Sequence, residues 1–191
     1  MKPRELLDVL IVAERLKDAT RHCYTSNGRH ESVAEHCWMS MLMAFLMKEE
    51  FPEADMDKVM RMLLIHDLGE AFTGDIPVFH KTAADEEKEE QALMGWVRSL
   101  PKEKAEEMLA LYEEMDAQQT LEAKIYKSLD GLEAVVQHNF SDIATWLPNE
   151  YQLNQTYARE RVSFSNYLTQ LREEIRKDTL AKIETAQNEG G

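Results

Sequence analysis

The sequence predicts an all-α protein, a single helical bundle with additional helices toward its C-terminus. Two observations lead there. Glycine and proline, the residues that punctuate turn-rich β folds, number only seven and five in 191 residues. Apolar residues recur at three- and four-residue spacing along most of the chain, in a composition rich in methionine, glutamate, leucine, alanine and lysine, all good helix formers.

Taken in order, Leu6, Val9, Leu10, Ala13 and Leu16 mark a first helix over 4–17, with Pro3 suited to its first turn. Residues 18–31 break that period. Ser26-Asn27-Gly28 signals a turn, and the stretch carries two arginines and two histidines. Ser32 and Glu35 have capping-box spacing, which starts a helix running to about Glu50 and sets His36 one turn inside it. A third helix begins near Met56, contains Met60, Leu63, Leu64 and Leu68, and leads through His66-Asp67-Leu68-Gly69-Glu70 to a Gly74-Asp75-Ile76-Pro77 turn. Charge-rich helices follow over 83–99 and 102–117. A helix over 121–139 turns Ile125, Leu129, Leu132, Val135 and Val136 inward. Beyond Pro148, one or two helices occupy 150–187, and the terminal Asn188-Glu189-Gly190-Gly191 is expected to fray. With no internal repeat and no low-complexity linker, 1–191 reads as one domain whose site-bearing core spans about 20–140.

The chain has 22 Lys and Arg against 36 Asp and Glu, a formal net charge of −14. Such a surface repels phosphate backbones and argues against a nucleic-acid polymer as partner, while a small anionic substrate requires local charge reversal. No apolar run reaches the length of a membrane span, and the N-terminal stretch carries acids, so neither a membrane segment nor a signal peptide is expected and the cytoplasm is the expected location. Cys23 and Cys37 lack CxxC spacing, which argues against a disulfide scaffold or a structural zinc site.

Polar ligand types stand where core residues are expected: His36 inside a capped helix, His66-Asp67 within MLLIHDLGEAF, and Asp130 within KIYKSLDGLEAVV. A buried carboxylate costs several kcal/mol unless paired, and two near each other repel, so a shared divalent cation is an economical solution. Two imidazoles and two carboxylates suit Mn²⁺, Co²⁺, Fe²⁺ or Ni²⁺ in octahedral coordination, with positions left for water and substrate oxygen. Spacing alone equally allows His66 and Asp67 to pair locally and Asp130 to meet a lysine. Glu70, one turn after His66 and Asp67, shares their face if the helix continues; it is then either a general acid/base or a solvated carboxylate. Asp75 is either an Asx-turn former or a ligand contact.

The ordered set Arg21, then RHESVAEH ending at His36, then HDLGEAFTGDIP from His66 to Pro77, then Asp130, resembles the HD-domain metal-dependent phosphohydrolases. Within them it most resembles the 5′-deoxynucleotidase group and its single-domain relatives, over roughly residues 4–140. The resemblance implies His36, His66, Asp67 and Asp130 as ligands of one divalent ion, Co²⁺, Mn²⁺ or similar. It implies Glu70 as the catalytic carboxylate and Arg21 as the arginine that orients the phosphate. Asp75, Ile76, Pro77 and Val78 match the segment that receives sugar and base, and Asp67 and Asp130 border the same substrate site. His22 departs from the group, which can carry Trp there, and this bears on sugar or base preference. The implied substrate is a deoxynucleoside 5′-monophosphate. The alternatives are another phosphate ester, such as a triphosphate or cyclic nucleotide, and a metal-stabilised binding module without turnover. Short loops and few extra basic residues count against a polyphosphate.

Other residues receive structural readings. Arg29 and Glu31 are expected to pair and stiffen their loop, and Glu35 to cap its helix or accept the second N–H of His36. Trp38, Trp96 and Trp146 read as core or interface anchors, and Met39, Met41, Met43 and Met47 as helix packing. His30, His80 and His138 read as surface or satisfied-core residues, Cys37 as packing, and the acidic runs 85–90 and 103–107 as solvated helix faces. Leftover apolar helix surface makes a homodimer the expected assembly.

Overall fold

The computed structural model describes residues 1–189. Helix α1 (Pro3–Ala13) opens with proline in its first turn and closes in a 3₁₀ turn over Glu14–Lys17. Its apolar period does not face a core. Leu6, Leu7, Leu10 and Ile11 are 47–59% exposed, and the segment is anchored to the bundle through Val12, Ala13 and the buried Leu16.

The break over 18–31 is a hairpin, a small addition to an otherwise helical fold. Strand β1 (Thr20–Tyr24) runs antiparallel to β2 (His30–Ser32), and Gly28, at φ +77°, supplies the left-handed residue the reversal needs. These strands are short and poor in β-branched residues, so no sequence alternation announces them. The hairpin is tied down at Arg21, whose carbonyl accepts from His30 Nδ1 (2.9 Å), and at Tyr24, whose carbonyl accepts from Gln137 Nε2 (2.7 Å).

The Ser32–Glu35 capping box is present and starts α2 (Val33–Leu46), which ends four residues earlier than expected in a 3₁₀ turn over Lys48–Glu50. Asp55 caps α3 (Met56–Ile65) by accepting from the Lys58 N–H. The third helix does not continue through Leu68. Hydrogen bonds from Leu68 N–H to the Ile65 carbonyl and from Glu70 N–H to the Asp67 carbonyl span three residues, tightening the chain before the single turn of α4 (Glu70–Thr73).

Helices α5 (Ala83–Arg98), α6 (Lys102–Ala117) and α7 (Leu121–Phe140) agree with the expected ranges to within a residue. After a 3₁₀ turn over Ile143–Thr145 come α8 (Glu150–Thr156) and α9 (Asn166–Glu189), while Gly190 and Gly191, where fraying was expected, lie outside the described residues. Helices α2, α3 and α7 pack on one another at the centre, α9 lies along α7, and α8 packs on α9. One cluster of buried apolar residues extends from Leu16 to Ile175. Helix α7 buries Ile125, Leu129, Leu132 and Val135 as its period requires, and it also buries Glu133. Among the described residues no helix is long and apolar enough to cross a membrane.

Candidate metal centre and active site

Four donor atoms from three elements converge. His36 comes from α2, His66 and Asp67 from the tightened turns between α3 and α4, and Asp130 from α7. His36 Nε2 lies 3.2 Å from His66 Nε2, 3.3 Å from Asp130 Oδ1 and 3.7 Å from Asp67 Oδ2. His66 Nε2 lies 3.2 Å from Asp67 Oδ2 and 3.7 Å from Asp130 Oδ1. Each imidazole spends its other nitrogen elsewhere: His36 Nδ1 donates to Glu133, and His66 Nδ1 donates to the Leu63 carbonyl at 2.9 Å. Those two bonds fix the tautomers and aim both Nε2 lone pairs at one point between two carboxylates.

Lone pairs and carboxylates so placed need a positive charge. Burial opposes charge on His66, yet Asp67 and the hydrogen bond to Asp130 outweigh it and hold the imidazole well above its ordinary range. A divalent cation can take the place of that proton, and the separations of 3.2–3.7 Å between the imidazole nitrogens and from them to the two carboxylates suit bonds of about 2.0–2.2 Å to one ion. The four residues therefore fit a metal. The plainer reading of Asp130 also holds, on its other oxygen: Oδ2 accepts from Lys127 Nζ at 2.9 Å.

Arg21, on β1, stands beside this centre. Its Nη1 is 3.2 Å from Glu133 Oε2 and 3.5 Å from Glu31 Oε2, and the Cys23 thiol donates to the same Glu31 oxygen. Burial and the neighbouring Glu133 push Glu31 up to about 7 against the pull of Arg21. A cavity of about 410 Å³ opens beside the centre, and Arg21, His22, His36, Asp67, Glu70, Asp75, Ile76, Pro77, Val78 and Asp130 all line it. His66 stands behind this wall, its side chain 3% exposed. Glu70 is buried with Oε2 unpartnered, and burial together with Asp67, Asp75 and Glu89 pushes its carboxyl up to about 9.

Residues 13–172 match the family model for the HD domain. This chain belongs to the HD-domain family. It is 32% identical to the human (Homo sapiens) 5′-deoxynucleotidase HDDC2 over 70% of this chain and 67% of that protein, and 28% identical to the Mus musculus protein of the same name over 97% and 94%. A crystal structure from Magnetospirillum magnetotacticum, described as a predicted metal-dependent phosphohydrolase, superposes with a TM-score of 0.80 at 27% identity, covering 94% of this chain and 95% of that one.

Several residues of this HD domain were misplaced or missed by the sequence reading. Glu133, not Glu35, receives the second N–H of His36; Glu35 caps α2 and pairs with Arg29 instead, so the expected Arg29–Glu31 pair does not form. Glu31 turns inward on β2, with its carboxylate 3.5 Å from Arg21. The one available signal for Glu133 was an acid one turn after Asp130 on an apolar face. His138 is buried, as a satisfied-core histidine is, but what the sequence did not show is its partner: its Nε2 lies 3.6 Å from Glu150 Oε1, to which His22 Nε2 donates at 2.6 Å. The Leu147 N–H holds the other Glu150 oxygen, and Phe79 sets its ring edge-on to His22. The 85–90 run is not wholly solvated, since Glu89 pairs with Lys81 at 2.8 Å. Nor is the cavity short of cations: Lys81, Lys127 and Arg161 line it beside Arg21. These partners are far apart in sequence, so no local pattern carries them.

Two measurements probe this arrangement. Glu133→Gln should weaken binding of Mn²⁺ or Co²⁺ about 10- to 100-fold while the protein stays folded, because His36 loses its anionic anchor; titration of metal-free protein reads this directly. Burial holds His138 down to about 4, so folding keeps neutral an imidazole that the unfolded chain protonates below about 6.5. Its contribution to stability is present above that value and is lost as pH falls toward 4. In denaturant titrations His138→Gln should therefore lose less stability than wild type between these limits.

Proposed function

We propose that this chain is a metal-dependent 5′-nucleotidase that hydrolyses deoxynucleoside 5′-monophosphates to nucleoside and phosphate. The observation that carries the reading is the convergence of His36, His66, Asp67 and Asp130 beside a cavity that also holds Arg21 and Glu70. Its kinship with proteins named 5′-deoxynucleotidase supports the substrate class. His36, His66, Asp67 and Asp130 would hold one divalent ion, Co²⁺, Mn²⁺ or similar.

Phosphate-monoester hydrolysis is very slow unaided, and the site must supply a nucleophile and neutralise charge on the phosphoryl oxygens. A bound divalent cation supplies Lewis-acid activation of water and phosphoryl oxygen. Glu70 lines the cavity and, once the charge of Asp67 beside it is balanced by a bound cation, its carboxyl can ionise; it then receives the proton of the attacking water and returns one to the 5′-oxygen as the phosphorus–oxygen bond breaks. Arg21, preset by Glu133 and Glu31, orients the phosphate. Asp75 accepts from the sugar 3′-hydroxyl, and Ile76, Pro77, Val78 and His22 bound the space for sugar and base.

The continuous core from Leu16 to Ile175 supports a single working domain. The net charge of −14 supports small nucleotides rather than a nucleic-acid polymer as partner, and two free buried cysteines suit the reducing cytoplasm. The exposed face of α1 supports a homodimer. With Leu64, Met41 and Trp96, Leu10 borders an apolar groove of about 580 Å³, a surface a second copy can cover.

The reading is tested by loading metal-free protein with Mn²⁺, Co²⁺ or Mg²⁺ and measuring phosphate released from deoxynucleoside and ribonucleoside mono- and triphosphates. Deoxynucleoside monophosphates should be cleaved; no monophosphatase activity with any metal would sink the assignment. Glu70→Ala should retain metal and lose about 100-fold or more in kcat, whereas Asp67→Ala loses both. For the assembly, Leu10→Glu combined with Ile11→Lys should convert a sedimenting dimer to monomer, and a wild-type monomer at micromolar concentration would refute the dimer.

A further inference from the structure

Four cationic side chains line the cavity, and three are already engaged. Arg21 is held by Glu133 and Glu31, Lys81 by Glu89, and Lys127 by Asp130. Arg161 forms no ion pair among the described residues, and its Nη1 is buried without a hydrogen-bond partner. Arg161 as a whole is only half-buried and lines the cavity, so the rest of its fork is open to an acceptor that arrives from outside the chain.

The chain goes to some length to put Arg161 there. The residue sits in the connection between α8 and α9, where Ala158 adopts φ +61°, a left-handed conformation unfavourable for a residue with a Cβ. Its guanidinium lies over the Tyr157 ring at 5.1 Å, and its carbonyl accepts from Ser128 Oγ at 2.9 Å, binding the connection to α7. Gly131 makes room: a Cβ at that position would stand 3.1 Å from Arg161 Nη1 and 3.0 Å from the Ala158 Cβ. The arginine thus fills a space left beside Asp130, the candidate metal ligand that precedes this glycine and whose outer oxygen is taken by Lys127. With Lys127 and Asp130 balancing each other, Arg161 leaves one uncompensated positive charge beside them in a protein that as a whole is strongly acidic.

We propose that Arg161 is a substrate-binding residue that takes phosphate oxygens of the nucleotide through its guanidinium, a role that rests on the nucleotidase reading of the same cavity. Its planar fork matches a phosphate, and the Tyr157 ring holds it ready without a competing carboxylate.

The probe is inorganic phosphate, titrated calorimetrically into Mn²⁺-loaded protein, so that the result does not depend on turnover. Arg161→Gln should bind phosphate about tenfold or more weakly, with Arg161→Lys intermediate, while Mn²⁺ affinity and thermal midpoint stay at wild-type values. In turnover assays the Gln variant should raise KM for the monophosphate by a similar factor, with a smaller change in kcat. If the wild-type protein hydrolyses no monophosphate yet binds phosphate through Arg161, the nucleotidase reading fails and the anion site stands. Wild-type phosphate affinity in Arg161→Gln overturns the proposal, as does a loss of affinity that only follows a loss of thermal stability.

Discussion

Glu133 has no exposed side-chain surface, and one of its oxygens lies against both His36 Nδ1 and Arg21 Nη1. A lone carboxylate at that depth would cost several kcal/mol, and removing either partner would leave charge uncompensated in the interior. The arrangement therefore locks three elements together: β1 through Arg21, α2 through His36, and α7 through Glu133 itself. It also sets the tautomer of His36. With its Nδ1 proton given to Glu133, the imidazole presents a lone pair to the centre where His66, Asp67 and Asp130 meet.

The same economy governs the rest of the site. His66 is fixed by the Leu63 carbonyl and Asp130 by Lys127, so each donor at the centre except Asp67 has a second bond that fixes its direction. Around the cavity the next layer is paired as well: Glu150 holds His22 and is itself held by the Leu147 N–H, while Glu89 holds Lys81. Against that background the unpartnered atoms stand out. Glu70 Oε2, Arg161 Nη1 and Asn154 Nδ2 belong to residues that line the cavity. A site for a charged ligand needs groups of this kind, held in place by neighbours yet unpaired until something binds.

Charge distribution separates the exterior from the site. Half of the acidic excess is carried on α5 and α6, and exposed pairs such as Lys104 with Glu107 on α6 and Arg176 with Glu173 on α9 contribute little to stability. Long-range attraction of an anion is weak for such a surface, and screening shortens it further. Capture of a phosphate must then come from contacts inside the cavity, where Arg21, Lys127 and Arg161 are gathered from β1, α7 and the α8–α9 connection.

Periodic and local features were legible in the sequence. The 3.6-residue spacing located most helices, and the Ser32–Glu35 box marked the start of α2, because these signals are written by neighbours within one turn. His36, His66, Asp67 and Asp130 were legible because polar residues on apolar faces demand an explanation, and the extended HD pattern supplied one. Residues 18–31 were not, since a short hairpin without β-branched alternation looks like a loop until its partners dock. The exposed face of α1 carries the same apolar period as a buried helix, and only packing tells the two apart. Glu133, His138, Glu150 and Arg161 acquire their meaning from partners up to 128 residues away. The sequence by itself determined the helical architecture and the chemical types at the centre, since local hydrogen bonding and hydrophobic periodicity act over a few residues. Only the tertiary structure decided which charges are paired and which stay open in the cavity, because electrostatic pairing and desolvation depend on distance in space.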